Sequence, residues 1–157
     1  MAGVGAAAEV PQLPGARVLI VEARFYAHIN DLLLVGTGRV LEMAGAAVAH
    51  TIVPGALEIP PAVSIALESG RFDAFVALGC VIRGETTHYE LVAGESCRGL
   101  MDLGTRAGAA IGNGILTVEN EPQALVRADP AAEDKGGGAA LAALHLLAWR
   151  NALRGSQ

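Results

Sequence analysis

Ala77-Leu-Gly-Cys-Val-Ile-Arg-Gly-Glu-Thr-Thr-His-Tyr-Glu90 is the stretch on which the fold turns. Its first half is apolar and reads as a buried strand that stops at Gly84; Thr86-Thr87-His88 then opens a helix. Open α/β sheets gather ligands where a strand ends and a helix begins, because the carboxyl ends of the strands face a crevice. The free N–H groups and positive dipole end of the helix favour an anion there. His88 brings a residue type suited to moving protons near neutral pH, beside the hydroxyls of Thr86 and Thr87. Proton transfer on an anionic small molecule is the first chemistry this stretch implies.

The same alternation repeats on either side of it. Arg17–Glu22 carries Val-Leu-Ile-Val, a short buried strand, and from His28 to Ala44 apolar residues recur at helical spacing. Asn30-Asp31 falls in the first turn of that helix, where an acid suits the dipole. A second strand over Ala46–Val53 is cut off by Pro54-Gly55. Glu58–Ser69 follows as a helix with Pro60 and Pro61 in its first turn, where a missing N–H does least harm. Asp73–Val81 is the third strand and Thr87–Arg106 the third helix. Ala110–Val118 makes a fourth strand around Gly112-Asn113-Gly114. Glu121–Arg127 is a short helix, Asp129–Lys135 a polar loop, and Gly137–Leu153 a helix apolar nearly all round, predicted to be buried on several sides. Strands alternating with helices give parallel βαβ units, hence an α/β fold with a four-stranded parallel sheet covered by helices on both faces. Residues 1–15 read as a loose arm with a short extended piece near Ala8–Gln12; residues 16–157 read as one domain.

Composition narrows the partners. The chain is 52% hydrophobic yet only 4% aromatic, and its 17% charged residues fall short of the quarter or so usual for a domain. Apolar surface in excess marks association, so a homo-oligomer is expected. A net charge of −5, a pI near 5.3 and the lack of any Lys/Arg stripe argue against nucleic acid. No apolar run reaches transmembrane length, and Cys80 and Cys97 lack metal-ligand spacing, so reduced thiols in the cytoplasm and no membrane are expected.

Four segments are predicted to end near one edge of the sheet: Ala23–Tyr26, Val53–Glu58, Cys80–His88 and Gly112–Gly114. Phe25, in a polar loop, either stacks on a planar heterocycle or folds back as a core plug. Glu58 either accepts hydrogen bonds from a polyol or merely complements a helix dipole. Arg127 and Lys135 flank a polar loop and are either ordinary surface cations or, given an anionic substrate, its clamps. Gly36-Thr-Gly38 sits inside a helix and is no dinucleotide fingerprint; Gly136-Gly-Gly138 lacks a phosphate-loop pattern and suits a helix start or a close contact. A flavin- or nucleotide-binding module and a structural shell protein are the rival readings of these residues.

In combination the segments resemble the lumazine synthases over roughly residues 16–153. The carriers are Ala-Arg-Phe25 with Ile-Asn-Asp31, Val53-Pro-Gly-Ala-Leu-Glu-Ile-Pro60, the stretch from Ala77 to Tyr89, Gly114-Ile-Leu-Thr-Val-Glu-Asn120 and Asp134-Lys-Gly-Gly137. The resemblance implies a flavodoxin-like three-layer sandwich. It implies condensation of 5-amino-6-(ribitylamino)uracil with 3,4-dihydroxy-2-butanone 4-phosphate, without metal or organic cofactor, in the penultimate step of riboflavin biosynthesis. It implies pentamers or assemblies of pentamers, with the site between neighbouring subunits. By motif, Phe25 matches the aromatic that stacks on the pyrimidine. Ala56, Leu57 and Glu58 match the segment that holds ring and ribityl chain, and Cys80, Val81 and Ile82 the strand end at the pyrimidine edge. Glu85 and Thr86 match the phosphate-side turn, His88 the proton-transfer residue, and Arg127 the neighbour's phosphate ligand, with Lys135 near it. Asn113 stands at a ring-pocket position often aromatic in the family, and Ala131 where a second lysine is common.

Overall fold

The computed structural model describes residues 9–155. Four strands, β1 (Arg17–Ala23), β2 (Ala47–Val53), β3 (Ala74–Ile82) and β4 (Ile111–Val118), form one all-parallel sheet in the order β2-β1-β3-β4. The helices are α1 (Ala27–Ala44), α2 (Ile59–Glu68), α3 (His88–Ala107), α4 (Glu121–Ala128) and α5 (Lys135–Gly155). α1, α4 and α5 cover one face, α2 and α3 the other. This is the three-layer α/β sandwich expected from the alternation of strands and helices.

Local chemistry sets the element ends. α1 and α3 stop at Gly45 and Gly108, which take φ of 76° and 68°, a region open to glycine at little cost. Asn120 caps α4 by accepting a hydrogen bond from the Gln123 N–H at 3.0 Å. The helix predicted over Glu58–Ser69 is α2, with the two prolines near its start; Glu58 itself closes a 3₁₀ turn over Ala56–Glu58 that runs into it. Asp31 lies beyond the first turn of α1 and pairs with Arg24 rather than with the helix dipole. Residues 9–12 form no strand; Ala8, the start of the predicted extended piece, lies outside the described residues. Leu13 and Gly15 donate backbone hydrogen bonds, both of 2.9 Å, to the carbonyls of Ala44 and Gly45.

β1 and β3 are central and buried on both sides, so their apolar runs are nearly continuous. Val18, Ile20, Val76 and Leu78 pack with Leu33, Ala140 and Leu144 on the α1/α5 face; Leu19, Val21, Phe75 and Ala77 pack with Ile59, Val63 and Leu100 on the other. α5 buries Ala139, Ala140, Ala143, Leu144 and Leu147 but leaves Leu146, Trp149 and Leu153 exposed, so the burial on several sides expected of this helix is not met within one chain.

Gly112 in β4 and Gly136 in α5 are close-approach devices. A Cβ on Gly112 would lie 1.7 Å from the Ala139 carbonyl oxygen, and one on Gly136 would lie 2.1 Å from that of Leu33. Both obstacles are backbone, so neither can rotate aside. Gly112→Ala is therefore expected to lower stability by about 1–3 kcal/mol through overpacking, read as a fall in the urea midpoint. An unchanged midpoint would contradict this packing of α5 on β4.

Candidate active site

Because β1 and β3 are neighbours while their following helices lie on opposite faces, a crevice opens at their carboxyl ends. A cleft of about 470 Å³ occupies it. The β1–α1 loop supplies Phe25 and Tyr26, the segment after β2 supplies Pro54 to Glu58, and β3 with the start of α3 supplies Cys80, Val81, Ile82, Thr86, His88 and Tyr89. Nine predicted site residues thus line one cavity: Phe25, Ala56, Leu57, Glu58, Cys80, Val81, Ile82, Thr86 and His88. Glu85 is exposed in the same loop but outside the lining.

Phe25 is no core plug. It is 78% exposed, and its ring meets Tyr26 edge-on with centroids 5.0 Å apart. Leu57 stands out likewise. Two apolar side chains held at the mouth of a cleft with a free aromatic face suit a flat heterocycle. The Glu58 carboxylate folds over the turn before it, 3.1 Å from where a Gly55 Cβ would be, so glycine there leaves it room. Burial, helped by the negative charge of Glu121, pushes the Cys80 thiol up to about 11. It stays protonated at neutral pH and is no nucleophile.

The loop that carries Glu85–His88 is braced by Arg83, a residue the sequence reading did not single out. Its guanidinium sits 4.3 Å from the Tyr89 ring centroid, pairs with Glu119 at 2.7 Å beyond β4, and pairs with Glu90 in the first turn of α3. The contact holds the Glu90 carboxyl below the usual carboxylate range. The Thr86 hydroxyl accepts from the His88 N–H at 3.3 Å. Arg83 and Arg24 are the cations nearest the cleft in sequence, and both are committed to carboxylates.

Asn113, Arg127 and Lys135 are not brought to this cleft. The Gly112–Gly114 segment was expected at the sheet's carboxyl edge; it lies instead near the start of β4, with Asn113 opposite Ala77, five residues short of the end of β3. The physical reason is register: β4 begins at Ile111, so the glycines are consumed in packing on α5 and Leu78. Asn113 accepts from the Ile115 N–H at 2.9 Å and approaches Cys97 Sγ at 3.4 Å. With Thr117, Arg127, Lys135 and Gly138 it lines a second hollow of about 420 Å³ along the free edge of β4. Arg127 is half-buried there and donates to the Gln123 carbonyl at 3.0 Å; among the described residues it has no ion-pair partner. Lys135 lies 3.6 Å from Glu133.

One buried acid lies just behind the cleft. Glu22, fully buried at the end of β1, meets Arg24 at 2.5 Å, Asn30 at 3.0 Å and His50. Nothing in the spacing of the sequence marks it, because a glutamate inside Val-Leu-Ile-Val-Glu-Ala reads as a strand end.

Comparison with known proteins supplies a further finding. Residues 15–151 match the protein family described as 6,7-dimethyl-8-ribityllumazine synthase. A protein of that name from Novosphingobium aromaticivorans is 63% identical over 135 residues, 86% of this chain and 96% of the relative. Those from Methylobacterium radiotolerans (56% over 147 residues, 94% of this chain and 90% of the relative) and Zymomonas mobilis (61% over 129 residues, 82% and 92%) carry the same name.

Proposed function

The chain belongs to the 6,7-dimethyl-8-ribityllumazine synthase family and has lumazine synthase activity in riboflavin biosynthesis; from that premise we propose that its reaction runs in the Phe25–His88 cleft, completed by Arg127 of a second copy of the chain. The observation that carries the proposal is the division of groups: the cleft holds the aromatic face, the polar turn and the histidine, whereas Arg127, with no ion-pair partner among the described residues, lies along the free edge of β4. A butanone phosphate needs that cation, and the arginines near the cleft are already paired.

In this reading Phe25 stacks on the ribitylaminouracil ring, with Ala56 and Leu57 beside it. Glu58 accepts hydrogen bonds from ribityl hydroxyls. Backbone groups of Cys80, Val81 and Ile82 meet the pyrimidine edge, as suits strand-end N–H and C=O groups with a neutral thiol beside them. Glu85 and Thr86 form the phosphate-side turn, and the free N–H groups opening α3 join Arg127 and Lys135 in holding the phosphate. Asn113 lines the neighbour's contribution as a polar edge.

The amine of the uracil attacks the ketone, and the carbinolamine loses water to give an imine. Phosphate then leaves, and the carbonyl formed from the remaining carbons condenses with the second amine to close the ring. Every step moves a proton, and His88 at the cleft wall donates and accepts in turn. Holding two small molecules in one orientation supplies much of the rest.

Assembly follows from the same surfaces. β4 presents an unpaired strand edge, and a groove of about 610 Å³ between α3 and α5 exposes Leu146, Trp149 and Leu153, 63% of Trp149 being open within one chain. We infer a homo-oligomer built as pentamers or assemblies of pentamers, in the cytoplasm, where free Cys80 and Cys97 persist. Among the described residues no helix is long and apolar enough to cross a membrane.

Two substitutions test the assignment in steady-state kinetics followed by lumazine absorbance. His88→Ala is expected to lower kcat by at most about 10²-fold, the low end for general acid–base catalysis, with both KM values little changed. An unaltered kcat and pH profile would remove His88 from the reaction. Arg127→Ala is expected to raise KM for the phosphate substrate about tenfold or more, the loss of a charge-assisted contact of roughly 1.5–3 kcal/mol, and to spare the pyrimidine. A rise confined to the pyrimidine's KM would contradict its role.

A further inference from the structure

We propose that Glu22 is a positioning residue for the ring-stacking Phe25, acting through Arg24; the inference rests on the stacking role given to Phe25 above. Glu22 is fully buried, two residues short of Arg24 and three short of Phe25. Its Oε1 accepts from Arg24 Nη1 at 2.5 Å and from Asn30 Nδ2 at 3.0 Å, and its Oε2 meets His50 Nε2. Arg24 is a bridge: its second terminal nitrogen donates to the Ala27 carbonyl at 3.2 Å and to the Asp31 carboxylate. The guanidinium therefore ties the end of β1, the first residue of α1 and its second turn together across the loop that bears Phe25.

Phe25 itself has little else to hold it. It is exposed, its one aromatic contact among the described residues is the edge of Tyr26, and the α1 N-cap, Tyr26, makes no side-chain cap hydrogen bond. Its ring is aimed by the backbone of residues 24–26, and the backbone is set by Arg24. His50 adds a second tie, since β2 leads into the Pro54–Glu58 wall. One carboxylate thus links two neighbouring strands whose following segments both line the cleft.

A strand end in a parallel sheet needs no acid. Burying a charge with its partners is commonly no more stabilising than an apolar side chain of the same size, so stability alone does not account for Glu22. What the charge provides is a direction: it accepts from donors on three elements at once, which an apolar residue cannot do.

The test is a double-mutant cycle on the KM of each substrate, with thermal melts of every variant. Glu22→Gln keeps the shape of the side chain and removes the charge; Arg24→Lys, partly open to solvent, keeps the buried carboxylate and removes the bridge. Each is expected to raise KM for the ribitylaminouracil about fivefold or more, to leave KM for the phosphate substrate within about twofold, and to add less than about twofold when Phe25 is already alanine. A merely structural role would lower the active fraction and so kcat, with no split between substrates. Equal effects in both Phe25 backgrounds, or equal effects on both substrates, would overturn the proposal. Should Glu22→Gln fail to fold, Arg24→Lys decides alone. If Phe25→Ala by itself leaves the pyrimidine's KM unchanged, the stacking role falls and this proposal with it; if Phe25→Ala raises it and neither variant does, only the positioning role of Glu22 falls.

Discussion

The pairing of β1 with β3 is the constraint on which the rest of the molecule depends. β1 sends its chain to α1 on one face, β3 sends its chain to α3 on the other, and no connection crosses between them. The crevice left at their carboxyl ends is a consequence of right-handed crossovers in a parallel sheet, not of any one residue. The apolar runs of both strands, buried on both faces, place that pairing at the centre of the core. Short loops then deliver side chains to the crevice with little freedom. Phe25 arrives two residues after β1, Leu57 four after β2, and His88 six after β3.

Charge is the reason the proposed site calls on a second chain. The chain is acidic overall, and the arginines nearest the cleft neutralise its own carboxylates: Arg24 serves Glu22 and Asp31, Arg83 serves Glu90 and Glu119. Those pairs stiffen the two loops that frame the pocket and leave no free guanidinium for a phosphate. Arg127 is free of acids, yet it faces the open edge of β4. An open strand edge, an exposed apolar groove and a cation without a counter-ion are three separate reasons for a second chain to dock.

Much of this was legible in the sequence, and the exceptions share a cause. Periodicity and turn residues located every strand and helix to within a few residues, because parallel strands buried on both faces and helices capped by Gly45 and Gly108 follow local rules. The motif around His88 pointed to the cleft for the same reason. What failed was register. That Asn113 pairs with Ala77 depends on where β4 starts beside β3, a fact of packing between Gly112 and Ala139 that no local pattern carries. Glu22 and Arg83 were missed because their importance lies in partners distant in sequence, His50 and Glu119. Ala143, drawn into the predicted all-round apolar helix, proves to be wholly inside the chain's own core, whereas Trp149 carries the outward face.

In the proposed oligomer each site takes its cleft from one chain and its arginine from the next. Mixed oligomers measure this directly. A chain with a disabled cleft (Phe25→Ala with His88→Ala) and a chain with Arg127→Ala are denatured together in equal amounts, refolded, and assayed for lumazine formation at limiting phosphate substrate. If the site is shared head-to-tail, random mixing pairs an intact cleft with an intact arginine at about one site in four, so activity returns to roughly a quarter of the unmodified enzyme although neither parent has it. Activity that stays at the average of the two parents would contradict a shared site, placing Arg127 and the cleft in the same chain's site or removing Arg127 from it.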